Sequence, residues 1–349
     1  MYVLIKPASS ACNMNCDYCF YNDVASKRTY KSYGMMTEAT LKNVIRKTIL
    51  KASGQISYAF QGGEPTLMGI EFFRKAVAFQ QQYNRNNVKV YNSLQTNGLA
   101  IDKQWCQFLH DNNFLVGISI DGIQSTHNAY RRSKTGEPTF DKVVSATKLL
   151  DMYDVEYNIL TVVNSLVASN ISSIYSYYKK RGWKFQQYIA CLDPLDKAVY
   201  DYCLSPQLFG KFMIELFDLW FADFQKGSQP YIRQFENYIG ILNGYHAESC
   251  DMRGFCSVQT VVEADGSVFP CDFYVLDKYL LGNFNENQLA VIDDKRSEIE
   301  FITDYNASCK TCEYFYICRG GCKRSREGLC DGYKMFFDAT IERMVSIKI

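Results

Sequence analysis

Residues 4–23 read LIKPASSACNMNCDYCFYND: a strand-like run, a short polar connection, then Cys12, Cys16 and Cys19 in a C-x-x-x-C-x-x-C spacing. Three thiolates this close in sequence converge on one centre if the chain between them wraps as a loop. Iron–sulfur clusters take thiolate ligands and a cubane has four irons, so three local ligands leave one iron open. An open coordination position is what catalysis at a metal requires, whereas a structural zinc site needs a fourth protein ligand, and no further Cys or His lies near in sequence. Phe20 and Tyr21 follow the last cysteine and are placed to cover a cluster or flank a bound nucleoside.

Working outward, the first two-thirds of the chain alternates strand-like with helix-like segments. Tyr2–Lys6, Ser57–Gln61, Val88–Leu94, Leu115–Ile120, Val155–Val163 and Phe185–Leu192 are short runs rich in β-branched and aromatic residues. Helical spacing lies between them. Thr37 stands as an N-cap before Leu41, Val44, Ile45, Thr48 and Ile49, Asp102 before Trp105, Phe108 and Leu109, and a third helix begins near Phe140. Six strands alternating with helices predict an α/β fold with a parallel sheet, read as a partial, open (β/α)6 barrel whose working face lies just beyond the strand ends. A helical stretch over Gln207–Phe224 reads as the last element of this core or a bridge, and Gly227–Pro230 as a linker. The expected division is therefore a core over 1–228 and a second domain over 229–349. In that second domain a hairpin is expected, with Thr260–Val262 and Val268-Phe269 flanking a turn at Ala264-Asp265-Gly266.

Bulk properties narrow the function classes. The 349 residues carry 38 basic and 37 acidic side chains, which gives no electrostatic case for nucleic acid as a partner. No apolar run is long enough for a membrane span and the first residues do not form a secretory signal, so a cytoplasmic protein is expected. In that reducing compartment, fourteen cysteines against three histidines point to metal ligands rather than disulfides. A second array runs Cys256-x9-Gly266-x4-Cys271, then Cys309-x2-Cys312-x5-Cys318-x3-Cys322, then Cys330, with Cys250 just upstream. Its eight thiolates suffice for two fully ligated cubanes, or for the rival pair of zinc sites. Cys106, Cys191 and Cys203 remain, and buried free thiols are the default reading for them. Asp121 and Asp193 are read as ending strands, and His127 as a loop residue.

The first loop, with Gln61-Gly62-Gly63-Glu64-Pro65 after the second strand, resembles the radical S-adenosylmethionine (SAM) superfamily. The second array resembles the SPASM module. From about residue 3 to about residue 340 the chain is similar to anaerobic sulfatase-maturating enzymes, most visibly in LIKPASSACNMNCDYCFYND, FQGGEPTL, YNSLQTNG and VVEADGSVFPCDFYVLDKYLLGN.

That resemblance implies three [4Fe-4S] clusters and SAM. Cys12, Cys16 and Cys19 would hold the SAM-cleaving cluster. Cys250, Cys256, Cys271 and Cys322 would hold a first auxiliary cluster, and Cys309, Cys312, Cys318 and Cys330 a second. Tyr21, Gly62, Gly63, Glu64, Ser119 and Arg131 would contact SAM, and Gln61, Asn97 and Cys191 the substrate. Asp272, directly after Cys271, would be the catalytic base. The implied reaction uses a 5′-deoxyadenosyl radical to oxidise a Cys or Ser in a C/S-x-P-x-R motif to Cα-formylglycine. The implied partners are an unfolded or nascent sulfatase polypeptide and a reductant such as flavodoxin or ferredoxin. Two other readings stand beside this one: a maturase that crosslinks ribosomal peptides, which shares both cysteine arrays, and an iron–sulfur electron carrier, which would need no open three-cysteine site. The first cluster cysteine at residue 12 leaves no room for the leader-recognition domain many such maturases carry. The electron carrier would need neither the glycine-rich loop nor the large core.

Overall fold

A computed structural model describes residues 1–256, 259–297, 307–325 and 328–348. The chain forms two compact units. The first comprises Met1–Ser119, Arg131–Tyr157 and Val258–Glu300, and the second Ile120–Tyr130, Asn158–Ser257 and Phe301–Ile349.

In the first unit, strands Tyr2–Ile5, Gln55–Phe60, Lys89–Thr96 and Phe114–Ser119 lie side by side and parallel. Helices Glu38–Ile49, Ile70–Tyr83, Lys103–Asp111 and Phe140–Met152 belong to the same unit. Thr37 and Asp102 cap their helices as expected, the side chains accepting from Thr40 N and Trp105 N. Phe60, Phe73, Trp105, Phe108 and Phe114 form a chain of ring contacts, with centroids 5.1 Å apart for Phe60–Phe73 and Phe73–Trp105. The predicted hairpin is present as Thr260–Val262 and Ser267–Phe269, antiparallel. It is not separate from the core sheet, however. Thr260–Val262 pairs in parallel with Tyr2–Ile5, so the segment carrying Cys271 is joined to the strand that leads to Cys12.

In the second unit, Tyr157–Val163 (all but its first residue) pairs in parallel with Phe185–Ala190, and that strand with Tyr231–Ile232. Helices Pro206–Phe224 and Cys330–Ser346 pack closely. A Cβ on Gly332 would lie 2.3 Å from the Pro206 carbonyl oxygen, so only glycine permits this approach. Phe217, Phe235 and Phe336 fill the adjoining core. Cys330 is the first residue of its helix, so this packing also fixes the position of its thiol.

Several expectations need correction. The strand Phe185–Ala190 stops short of Cys191 and Asp193, and Asp121 lies two residues beyond Ser119. His127 is not a loop residue but sits fully buried in helix Gln124–Tyr130, its Nδ1 accepting from the Asp121 N–H at 3.3 Å. Cys106 and Cys191 are buried, but Cys203 is only half-buried because it lies in the irregular stretch after Cys191. Among the described residues no helix is long and apolar enough to cross a membrane.

Candidate active site

The first unit holds Cys12, Cys16, Cys19, Tyr21, Gln61–Glu64, Asn97, Ser119, Arg131, Cys271 and Asp272. After Tyr2–Ile5 the chain turns through Ser9, in the left-handed region at φ 47°, with Ser9 N–H donating to Lys6 O and Ala11 N–H to Ala8 O. Met14–Cys16 then pairs antiparallel with Arg131–Ser133, placing Cys16 opposite Arg131. Cys19 caps helix Phe20–Ser26. All three thiols are half-buried. Each of the first two sulfurs meets a donor: Asn97 Nδ2 lies 3.8 Å from Cys12 Sγ and Arg131 Nη1 3.8 Å from Cys16 Sγ. Burial pushes the Cys12 thiol up, while the Met14 N–H pulls it back. A bound cation would stabilise the thiolate further.

The glycine-rich turn is clamped against this loop. A Cβ on Gly63, at φ 53°, would lie 2.1 Å from Ala11 O and 2.6 Å from Ser9 O. Glu64 N–H donates to Ala11 O at 2.8 Å. The glycine pair therefore allows a close backbone approach, here to the cysteine loop itself. The Glu64 carboxylate is fully buried and accepts from Thr66 N, Thr66 Oγ1, Thr96 Oγ1 and Asn97 N at 2.7–3.0 Å. Its side chain is thus occupied in binding the turn to the end of Lys89–Thr96, and a contact with SAM would fall to its backbone. Ser119 Oγ accepts from Gln95 Nε2 at 3.0 Å at the neighbouring strand end.

Asp272 opens a short turn directly after Cys271. Its carboxylate forms an ion pair with Lys6 and accepts from Gln61 Nε2 at 2.6 Å. Lys6 Nζ in turn lies 3.7 Å from the centroid of the Tyr21 ring. The Tyr21 hydroxyl donates to Glu263, which Arg28 Nη1 also meets at 2.9 Å. Burial and the Glu263 carboxylate hold the Tyr21 phenol well above its usual range. Tyr21 is therefore the wall of a buried charge cluster, whereas its neighbour Phe20 packs edge-on against Phe273, 5.1 Å between centroids. Lys6, Arg28 and Glu263 were not singled out from the sequence. The available signal was a charged residue at the end of an apolar strand, in YVLIK and TVVE, on the side where ligands bind.

Cys191 and the other auxiliary cysteines lie in the second unit. Cys191 follows Phe185–Ala190, its N–H donating to Val163 O at 3.0 Å, and burial pushes its thiol up. The remaining thiols fall into two groups. Burial raises Cys250 to about 11, with Asp251 and then Cys322 and Cys256 adding to the rise. Burial likewise raises Cys318 to about 11, and its thiol neighbours are Cys330, Cys312 and Cys309. Short turns set these positions: Cys250–Met252, Ala307–Cys309, and the one-turn helix Phe315–Cys318, stopped by Arg319 in the left-handed region at φ 52°. Among the described residues no three Cys, His, Asp or Glu side chains converge as ligands of a single ion would.

Comparison with known proteins agrees with this geometry. Residues 7–169 match the radical SAM superfamily, and residues 250–313 match the SPASM iron–sulfur cluster-binding domain. The cysteine-type anaerobic sulfatase-maturating enzyme of Clostridium perfringens is 43% identical over 99% of this chain and 97% of its own. This chain belongs to the anaerobic sulfatase-maturating enzymes. It is a radical SAM enzyme with an α/β core and a SPASM module, and its family uses SAM and a [4Fe-4S] cluster. The serine-type sulfatase-maturating enzyme of Bacteroides thetaiotaomicron is 29% identical over 97% of this chain and 88% of its own. A solved structure of a sulfatase-maturating enzyme, anSMEcpe with bound AdoMet and the Cp18Cys peptide, superposes with a TM-score of 0.92 at 43% identity, covering 99% of this chain and 97% of that one. Family membership favours sulfatase maturation over peptide crosslinking or simple electron transfer.

Proposed function

We propose that this enzyme oxidises the Cβ of a Cys or Ser in a sulfatase C/S-x-P-x-R segment, giving Cα-formylglycine. The observation that carries the reading is a carboxylate, Asp272, adjoining Cys271 and held by Lys6 and Gln61 in the same unit as the three-cysteine loop. The peptide-bound relative supports a polypeptide substrate, here an unfolded or nascent sulfatase.

The donor set fits the groups the family uses: three half-buried thiols on one loop, and a cation and an amide aimed at the sulfurs. Bound SAM and the cluster on Cys12, Cys16 and Cys19 would supply a hydrogen-abstracting 5′-deoxyadenosyl radical, and two auxiliary clusters an electron acceptor. The grouping of thiols around Cys250 and around Cys318 supports Cys250, Cys256 and Cys322 in one ligand set and Cys309, Cys312, Cys318 and Cys330 in the other; the family resemblance adds Cys271 to the first. In this reading Arg131 takes the SAM carboxylate with the fork geometry suited to it, and Ser119 takes the ribose. The backbone of Gly62, Gly63 and Glu64 takes the amino group, while Tyr21 walls the site. Gln61, Asn97 and Cys191 meet the substrate. The core is 1–228 and the auxiliary-cluster domain 229–349, and a flavodoxin or ferredoxin delivers electrons.

Asp272 moves one proton. Once the substrate carbon has lost hydrogen, the adjacent S–H or O–H proton passes to the Asp272 carboxylate. The radical anion that remains must lose one electron, and a cluster held by the thiolates near Asp272 would accept it. The product is an aldehyde from serine, or a thioaldehyde from cysteine that water converts to aldehyde and sulfide. General-base assistance of this kind contributes ~10²–10⁴-fold.

Anaerobic incubation with SAM, a reductant and a C-x-P-x-R peptide tests the reading by mass spectrometry. Formation of an aldehyde at the target residue is expected. SAM cleavage with an unmodified peptide, alongside a crosslinked product from another peptide, would contradict it.

A further inference from the structure

The Asp272 carboxylate is held from both sides, by Gln61 and by a lysine to which the reaction as described gives no task. Gln61 Nε2 donates to Oδ2, and Lys6 pairs with Oδ1. The Lys6 side chain has no solvent exposure and that of Asp272 has 14%. An ammonium buried this completely is costly unless something offsets its lost hydration. Two features do so: the Asp272 charge and the face of the Tyr21 ring. The backbone is shaped to admit the lysine. Lys6 directly follows the first strand, its N–H donating to Val262 O at 2.8 Å, and its stem runs past Gly62, where a Cβ would lie 2.6 Å from Lys6 Cγ. The first glycine of the Gly-Gly pair therefore has a second task, which is to leave room for this side chain.

We propose that Lys6 is a positioning residue for the oxidation: its ammonium fixes the Asp272 carboxylate in the orientation that receives the substrate proton. This rests on the reading of Asp272 as the proton acceptor. No new atoms enter the reaction. The proton still passes from the substrate S–H or O–H to Asp272, and Lys6 remains an ammonium throughout. Misplacing a reacting group by about 1 Å costs on the order of 10²-fold, which sets the scale of the effect.

The test compares Lys6→Met, Asp272→Asn and the double variant, each reconstituted anaerobically. It measures 5′-deoxyadenosine release, peptide product, and peptide affinity by fluorescence anisotropy. Lys6→Met keeps the length of the stem and removes the charge. The double variant removes both charges, so it reports on folding where the single variant leaves an unpaired carboxylate. The expected result is that Lys6→Met binds peptide and releases 5′-deoxyadenosine but forms on the order of 10²-fold less product per SAM cleaved. The double variant should be no worse than Asp272→Asn alone, because Lys6 acts only through that carboxylate. Unchanged coupling in Lys6→Met beside lost coupling in Asp272→Asn, or losses that multiply in the double variant, would overturn the inference and leave the Asp272 reading standing. Unchanged coupling in Asp272→Asn would overturn both.

Discussion

The two cysteine regions are built in opposite ways. The Cys12–Cys19 loop is held by the rest of its unit through bonds that need no metal. Gly63 packs on Ser9 and Ala11, Glu64 N–H donates to Ala11 O, and Met14–Cys16 pairs with Arg131–Ser133. In the second unit Cys250, Cys309, Cys318 and Cys330 sit instead at the ends of Cys250–Met252, Ala307–Cys309, Phe315–Cys318 and Cys330–Ser346, and Cys256, Cys312 and Cys322 lie outside any element. On the proposed ligand sets, the first region is a preformed cradle with one ligand too few, whereas the second has ligands enough and, Cys330 apart, less scaffold, so metal binding there would also be folding.

The largest effect expected from this contrast follows removal of the cradle's thiols. Replacing Cys12, Cys16 and Cys19 together with Ala should abolish 5′-deoxyadenosine release while leaving the auxiliary clusters loaded. Chromatographic assay of SAM cleavage and iron analysis check this, and persistent cleavage would break the distinction. Next in size, Asp272→Asn should keep SAM cleavage and lose ~10²–10⁴-fold of product; mass spectrometry of the peptide alongside the nucleoside assay separates the two. Cys318→Ala should then lower the iron content from about twelve per chain to about eight, one cubane's worth, without stopping SAM cleavage. Iron removal from the wild-type protein should increase hydrogen exchange across 307–325 far more than across 2–60. Equal changes in both would erase the contrast. The smallest effect is in the clamp: Glu64→Gln places an amide donor among four existing donors and should cost about 1–3 kcal/mol in chemical denaturation.

The same contrast marks what could be read in advance. The six core strands and the Thr37 and Asp102 caps were legible because β-branched runs and cap spacing are local signals. The radical SAM and SPASM segments were legible because cysteine spacing is a local signal. The parallel pairing of Thr260–Val262 with Tyr2–Ile5 was not, because register between segments more than 250 residues apart leaves no local trace. Nor were the tasks of Lys6, Arg28 and Glu263. A charged residue at a strand end reads as the point where the strand meets water, and only the assembled unit shows it paired and buried. Glu64 shows the reverse case. Its motif marks a ligand-binding turn, while its side chain serves the protein's own backbone and threonines.

The most direct test of the central claim is electron paramagnetic resonance of the anaerobically reconstituted, reduced enzyme before and after addition of SAM, with the Cys12/Cys16/Cys19→Ala variant as the reference for the auxiliary clusters. The account predicts a cluster signal, absent from the variant, that changes when SAM binds at the iron the protein leaves unligated. A signal from that loop indifferent to SAM, or zinc in place of iron there, would contradict it.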